Sequence, residues 1–227
     1  MKITWIGQAG LLLEKDGVLV MIDPYLSDSV VKVEPKNYRR VPVNEKFLAL
    51  NPDVMIFTHN HLDHYDPETA PIFLHRTEKR MTVLCPSSVW RQARAEGGGH
   101  NYVQFNRGTV WTEYGLRFTA VPAEHSDDHA IGVIVEDLSE GKSYYVTGDT
   151  LYNAEIFAHL PEAPEAVFLP INGVGNNMNM TDAAEFAKRV GAKHTVPFHV
   201  GMFDELDAHD FECDNRVIPE LWKEIEL

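Results

Sequence analysis

The chain has 227 residues, 44% of them hydrophobic and 24% charged, which is enough for a substantial core in a single globular domain spanning 1–227. Its 34 acidic and 20 basic residues leave a formal charge of −14, a balance that disfavours nucleic acid and anionic membranes as partners. No apolar run reaches the length of a membrane span, strand-like sequence starts at once in "MKITWIGQAG" with no room for a signal peptide, and Cys85 and Cys213 lie outside any C-x-x-C pair; a cytoplasmic, reducing location is the expectation.

Three apolar runs open the chain, separated by "GQAG" and "EKDG". Asp16-Gly17 predicts a hairpin between Leu11–Leu13 and Val18–Ile22, and "IDP" ends the second of these strands, because proline cannot continue a ladder. Residues 27–51 are polar, carry Pro35 and Pro42, and show no periodicity; they read as a long loop or lid. "DVMIF" is a short buried strand. "DPETAPIFLHR" reads as a helix with Asp66 as its cap, "MTVLCP" as a strand ending at a buried Cys85, and "SSVWRQARAEGGG" as a serine-capped helix with a glycine stop. Short strands follow over 102–122, and "AIGVIVED" and "SYYVTGD" pair across "LSEGK". "LYNAEIFAHL" reads as a short helix, "EAVFLP" as a strand, and "TDAAEFAKRVGA" as a helix capped by Thr181 and stopped by Gly191. "HTVPF" is a last strand, and the tail from Asn215 is expected to be helical. The order suggests two similar halves, with two packed sheets between outer helices.

The chemistry concentrates in "THNHLDHYD", residues 58–66, directly behind the strand "DVMIF". His59 and His61 are two apart, so an extended segment would aim both the same way, whereas a helix would not. Asp63 and His64 follow after a turn and could grip a second ion. Three further apolar runs end in a metal-capable residue: His125 after "FTAVPAEH", Asp149 in "YYVTGDT" and His199 in "TVPFH". Should these strand ends converge, His59, His61 and His125 would hold one cation and Asp63, His64 and His199 another. Asp149 would bridge them with its two oxygens. Imidazole and carboxylate ligands without a thiolate suit zinc, manganese or iron(II).

H-x-H-x-D-H followed by a lone histidine, a "TGD" aspartate and a late histidine resembles the metallo-β-lactamase superfamily. The resemblance runs from "WIGQAG" and "IDPYL" to "PFH". It implies an α/β fold, a four-layer αββα sandwich, with a dinuclear site at the sheet edges, two divalent metal ions (zinc or manganese, with iron an alternative) and often a homo-oligomer. "WIGQAGLLLEKDGVLVMIDPYL" and "FLPINGVGNNMNMTDAAEFAK" are most similar to the L-ascorbate-6-phosphate lactonase-like branch. Flavodiiron oxygen reductases carry a glutamate where His61 stands, so the histidine favours hydrolysis over redox chemistry. Zinc β-lactamases use a late cysteine ligand that this chain lacks.

The expectation is therefore a hydrolase that uses metal-activated water on a small ester, lactone or phosphorylated metabolite. Phosphodiesterase action is the alternative, and a non-catalytic metal-stabilised binding protein the third reading. Asp63 would orient the water and accept its proton, and His129 would donate to a substrate oxyanion. Asn172 and Asn177 would line the substrate pocket, and Gln8 would support a ligand. Tyr38, Arg39 and Arg40 could meet an anionic substrate, although a solvated charge pair explains them better. His75, His100, His159, His194 and His209 have no partner pattern.

Overall fold

The computed structural model describes residues 1–227. Two six-stranded sheets carry the fold, and each is laid down by one half of the chain. The first holds β1 (Lys2–Gly7), β2 (Gly10–Lys15), β3 (Val18–Ile22), β4 (Val54–Ile56), β5 (Thr82–Cys85) and β6 (Asn101–Gln104) in sequential order. β1 to β3 form an antiparallel meander through the Asp16-Gly17 hairpin, and β3 to β6 run parallel. The second sheet holds β7 (Val110–Glu113), β8 (Leu116–Pro122), β9 (Ile131–Asp137), β10 (Lys142–Val146), β11 (Ala166–Pro170) and β12 (His194–Phe198), again in sequential order. It is antiparallel from β7 to β10 and parallel from β10 to β12.

Side-chain alternation sorts these strands into layers. Val20 and Ile22 of β3 and Val54 and Ile56 of β4 join Phe118, Val133, Val135 and Phe168 of the opposite sheet in one central core. Met21 and Met55, one residue out of phase, face outward beneath α1 (Thr69–Leu74) and α2 (Ser87–Ala95), against Phe73, Leu74, Val89 and Ala93. On the far side Val167 and Leu169 of β11 face α3 (Met180–Val190) through Ala183, Phe186 and Val190. The result is the expected αββα sandwich, because each apolar strand has two faces to bury and only a helix layer can cover the outer one.

Several local expectations shift by a few residues. α1 starts at Thr69, later than expected, and Asp66 instead closes the preceding turn by accepting from the Glu68 amide at 3.0 Å. Ser87 is the first residue of α2 rather than its cap, and its amide donates to Asn106 Oδ1 at 2.9 Å. The cap of α3 is Asn179, which accepts from the Asp182 amide at 3.0 Å, and Thr181 lies inside the first turn. Gly191 does stop α3, with φ +66°. "NAEIFAH" makes a 3₁₀ segment, Ala154–His159, capped by Asn153.

The tail is not helical. Pro219 removes a donor and forces Ile218 out of the helical region, and two sheet edges compete for the backbone. The Val217 amide donates to Thr195 O on the rim of β12, and the Ile225 amide to Ile3 O on the rim of β1. One short segment thus protects one edge of each sheet, β1 and β12. The 27–51 loop contains two 3₁₀ turns, Val30–Lys32 and Glu45–Ala49. Arg39 and Arg40 are not a solvated pair there: Arg39 donates to Tyr25 O at 2.8 Å and to Val41 O at 2.9 Å, and Arg40 donates to Phe203 O.

Candidate metal centre

Parallel strands with sequential order deliver their C-terminal ends to one edge. The loops after β4, β8, β10 and β12 therefore meet there, carrying His59 to His64, His125, Asp149 and His199. The ligand-capable atoms of His59, His61, His125 and Asp149 lie within 4.8 Å of one another, and so do those of Asp63, His64 and His199. Asp149 also touches the second group: Oδ1 is 3.2 Å from His64 Nε2, and Oδ2 is 3.3 Å from His199 Nε2.

Each ring is oriented from behind. His64 Nδ1 lies 2.7 Å from Asp23 Oδ2, which turns Nε2 toward the cluster. His125 Nδ1 donates to Asn176 O at 3.2 Å, leaving Nε2 3.1 Å from His61 Nδ1. His59 Nδ1 meets Thr58 Oγ1 at 3.1 Å. His199 is held with φ +55°, its amide donating to Gln8 O at 3.1 Å. Gln8 (φ +51°), Asp23 (φ +44°) and Asn176 (φ +63°) share this left-handed backbone, so half of the eight non-glycine residues of that kind surround the cluster. Such strain persists where neighbouring structure enforces it. Gly148, ahead of Asp149, has φ +61°, and a Cβ there would sit 2.8 Å from Ile131 O.

The donors fit a cation. His59 Nε2 is buried with no hydrogen-bond partner, and His64 Nε2 and Asp149 Oδ1, 3.2 Å apart, make no well-aligned hydrogen bond; a cation among the three would satisfy them all. His61 Nδ1 and His125 Nε2 face each other, and a cation between two imidazole nitrogens resolves that contact. All-imidazole and carboxylate ligation matches zinc, manganese or iron(II).

Without a metal, protons take this role. Burial opposes charge on His64, but Asp149, Asp23 and Asp63 outweigh it and hold the ring well above the ordinary imidazole range. Burial likewise opposes charge on His199, yet Asp149 and Asp63 raise it to about 10. Burial pushes Asp63 and Asp149 up, but the two imidazoles facing them win, and both carboxyls stay below the usual range. Burial, helped by the neighbouring imidazoles of His64, His125 and His61 and opposed by Asp149, drives His59 well below its ordinary value, so it is a neutral ligand. A metal would displace the protons from His64 and His199.

The supporting residues differ in how visible they were. Gln8 Nε2 donates to Asp63 Oδ2 at 2.7 Å. Asn177 Nδ2 donates to Asp149 Oδ2 at 2.8 Å and its Oδ1 accepts from the Thr150 amide, while Asn172 Nδ2 lies 3.1 Å from His199 Nδ1. Both asparagines line a cavity of about 660 Å³ over the cluster. His129 is exposed, does not line that cavity, and makes no side-chain hydrogen bond; only its amide is used, donating to Asp127. Sequence reasoning passed over Asp23 and Asp127. Asp23 accepts the Thr58 amide at 2.8 Å as well as His64 Nδ1. Asp127 joins three segments by accepting from Asn60 N at 3.1 Å, Ser88 Oγ at 2.6 Å and His129 N at 2.9 Å. The signal for Asp23 was "IDP": an acid ending β3, whose parallel neighbour β4 ends in the histidine loop. His75 and His209 pair with Glu96 and Asp207 on the surface.

A family profile described as "Beta-lactamase superfamily domain" matches residues 19–200. The chain is 30% identical over 240 residues to the UPF0173 metal-dependent hydrolase MK1542 of Methanopyrus kandleri, covering 100% of this chain and 95% of that one. Its fold is similar to that of Igni18, described as a novel metallo hydrolase, from Ignicoccus hospitalis. The TM-score is 0.73 at 23% identity, over 98% of this chain and 96% of that one. It is also similar to the metallo-β-lactamase fold protein YhfI from Bacillus subtilis, with TM-score 0.75 at 17% identity over 100% and 99% of the two chains. The convergent histidines and aspartates, the two sequential sheets and the profile match together place this chain in the metallo-β-lactamase superfamily, in the group of UPF0173 metal-dependent hydrolases.

Proposed function

We propose that the protein is a hydrolase of small esters or lactones, and that its two ligand groups would hold two divalent cations, with Asp149 contributing to both. The observation that carries this reading is the convergence of three buried atoms without a well-aligned hydrogen bond, His59 Nε2, His64 Nε2 and Asp149 Oδ1, within two touching ligand groups. When bound, such cations lower the pKa of a shared water and stabilise negative charge on the reacting oxygens.

The chain's own residues do the rest. Asp63 Oδ2 is held by Gln8 and His199, while Oδ1 makes no bond within the protein and serves as the acceptor for the attacking water's proton. Asp23 keeps His64 in the tautomer that leaves Nε2 free. Asn177 holds Asp149 Oδ2 in place, and Asn172 stands over His199 at the cavity wall. Phosphodiester cleavage is the second reading, favoured by the adjacency of the two ligand groups, since paired cations also clamp an in-line displacement. Elemental analysis of protein purified without added metal tests the proposal, followed by a panel of lactones, carboxylic esters and phosphodiesters with the metal found. Turnover of the first two supports it. Turnover confined to phosphodiesters replaces it with the second reading, and inertness of the metal-loaded protein toward the whole panel refutes both.

A further inference from the structure

The cavity over the cluster has an uneven character. Beyond the ligand groups its charged lining is Glu34 and Asp204, and it contains no lysine or arginine. Of the cations on the loop that supplies Glu34, Lys36 is exposed and outside the lining, and three others are held by bonds within the protein. Arg39 is tied to Tyr25 O and Val41 O, Arg40 to Phe203 O, and Lys32 to Glu68. The carboxylates are not cancelled either: Glu34 accepts only from Asn37 Nδ2, at 2.8 Å, and Asp204 from the Gly201 and Leu206 amides. The same cavity holds the two most exposed large apolar side chains of the protein, Val33 at 68% and Val174 at 62%. They come from different loops, and Val30, Leu62 and Phe203 extend the apolar lining.

A phosphate or carboxylate group on a substrate's far end would therefore meet two carboxylates and no cation in the lining. An uncharged or cationic arm would meet no such repulsion and would cover the valines. We propose that this cavity selects substrates with an apolar, uncharged or cationic arm and rejects those with an anionic one, which removes phosphorylated metabolites from the substrate class. The scissile end of this picture rests on the hydrolase reading, but the arm preference is a property of the lining and is read by binding.

The test uses three hydroxamic acids with one six-carbon chain ended by a methyl, an ammonium or a carboxylate group, titrated calorimetrically into zinc-loaded protein. Two carboxylates, each about 6 Å from the anionic end in water, suffice for about tenfold discrimination, or about 1.4 kcal/mol. The methyl- and ammonium-ended probes should bind at least about tenfold tighter than the carboxylate-ended one. The double variant Glu34→Gln, Asp204→Asn keeps the Asp204 Oδ1 bonds to Gly201 N and Leu206 N and should reduce the gap to about threefold or less. Val174→Ser should weaken the methyl-ended probe. Equal or tighter binding of the carboxylate-ended probe, an unchanged gap in the double variant, or no binding of any probe by zinc-loaded protein would overturn the proposal. Probe binding in the expected order without turnover of any ester sinks the hydrolase reading alone, so the two failures are separate.

Discussion

Asp23→Asn changes one buried atom behind the cluster and leaves every ligand in place. The carboxylate takes the Thr58 amide at 2.8 Å on Oδ1, and His64 Nδ1 at 2.7 Å together with the Thr58 hydroxyl on Oδ2. An asparagine amide must point its NH₂ at one of these donors. If it faces His64, the ring turns to the other tautomer, and the proton moves to Nε2, the atom aimed at Asp149. If it faces the Thr58 amide, a buried backbone donor is left without an acceptor. A hydrogen bond to a charged group contributes about 1.5–3 kcal/mol. Loss of a carboxylate behind a metal-bound histidine weakens metal by about 10–100-fold, or about 1.4–2.7 kcal/mol. The two estimates agree, so metal affinity should fall by one to two orders of magnitude, about 10–100-fold. Competition against a chromophoric chelator measures it, with circular dichroism melts on the metal-free proteins to show that the sandwich is retained. Wild-type metal affinity in a folded Asp23→Asn protein would show that the His64 tautomer is not set from behind, and the account of how this site is built would fail.

Asp149→Ala removes the carboxylate that touches both ligand groups; bound metal by elemental analysis and ester turnover should fall together, turnover by about 100-fold or more. Retention of both metals would refute the bridging role. Gly148→Ala places a Cβ 2.8 Å from Ile131 O and 3.1 Å from Thr58 Cβ, at φ +61°; thermal unfolding should show a loss of about 1–3 kcal/mol, with metal affinity reduced as Asp149 shifts. An unchanged melting temperature would mean that this turn relaxes freely. Asp137 on β9 is ion-paired at 3.1 Å with Lys15 of β2 in the other sheet. Burial pushes its carboxyl up, but Ser139 and Lys15 outweigh this and hold it at about 2, against an ordinary 3.8. A depressed carboxyl contributes stability above its unfolded value and loses it as pH falls through the folded one. Asp137→Asn should therefore cost about 1–2 kcal/mol at neutral pH, with the difference from wild type vanishing between about pH 4 and pH 2. A difference that persists at pH 2 in urea unfolding would assign the effect to lost packing rather than charge.

Local chemistry was written plainly along the chain. Apolar runs ending in His59, His125, Asp149 and His199 announced strands that deliver ligands, because strand propensity and ligand type are properties of neighbouring residues. The alternation of Val20, Met21 and Ile22 already contained the layering, since a period of two assigns opposite faces. Neighbourhood across the fold was another matter. That Asp23 stands behind His64 follows from β3 pairing with β4, and that Arg39 and Arg40 are held by backbone carbonyls follows from where the fold places Tyr25, Val41 and Phe203. The tail shows the same division: Pro219 argues against a helix from the sequence, but only the fold supplies the two strand edges its backbone pairs with. Sequence alone determined which atoms could bind a cation. Tertiary structure decided which of them face one another, because hydrogen bonds and burial between residues far apart in the chain outweigh the weak preferences of each segment.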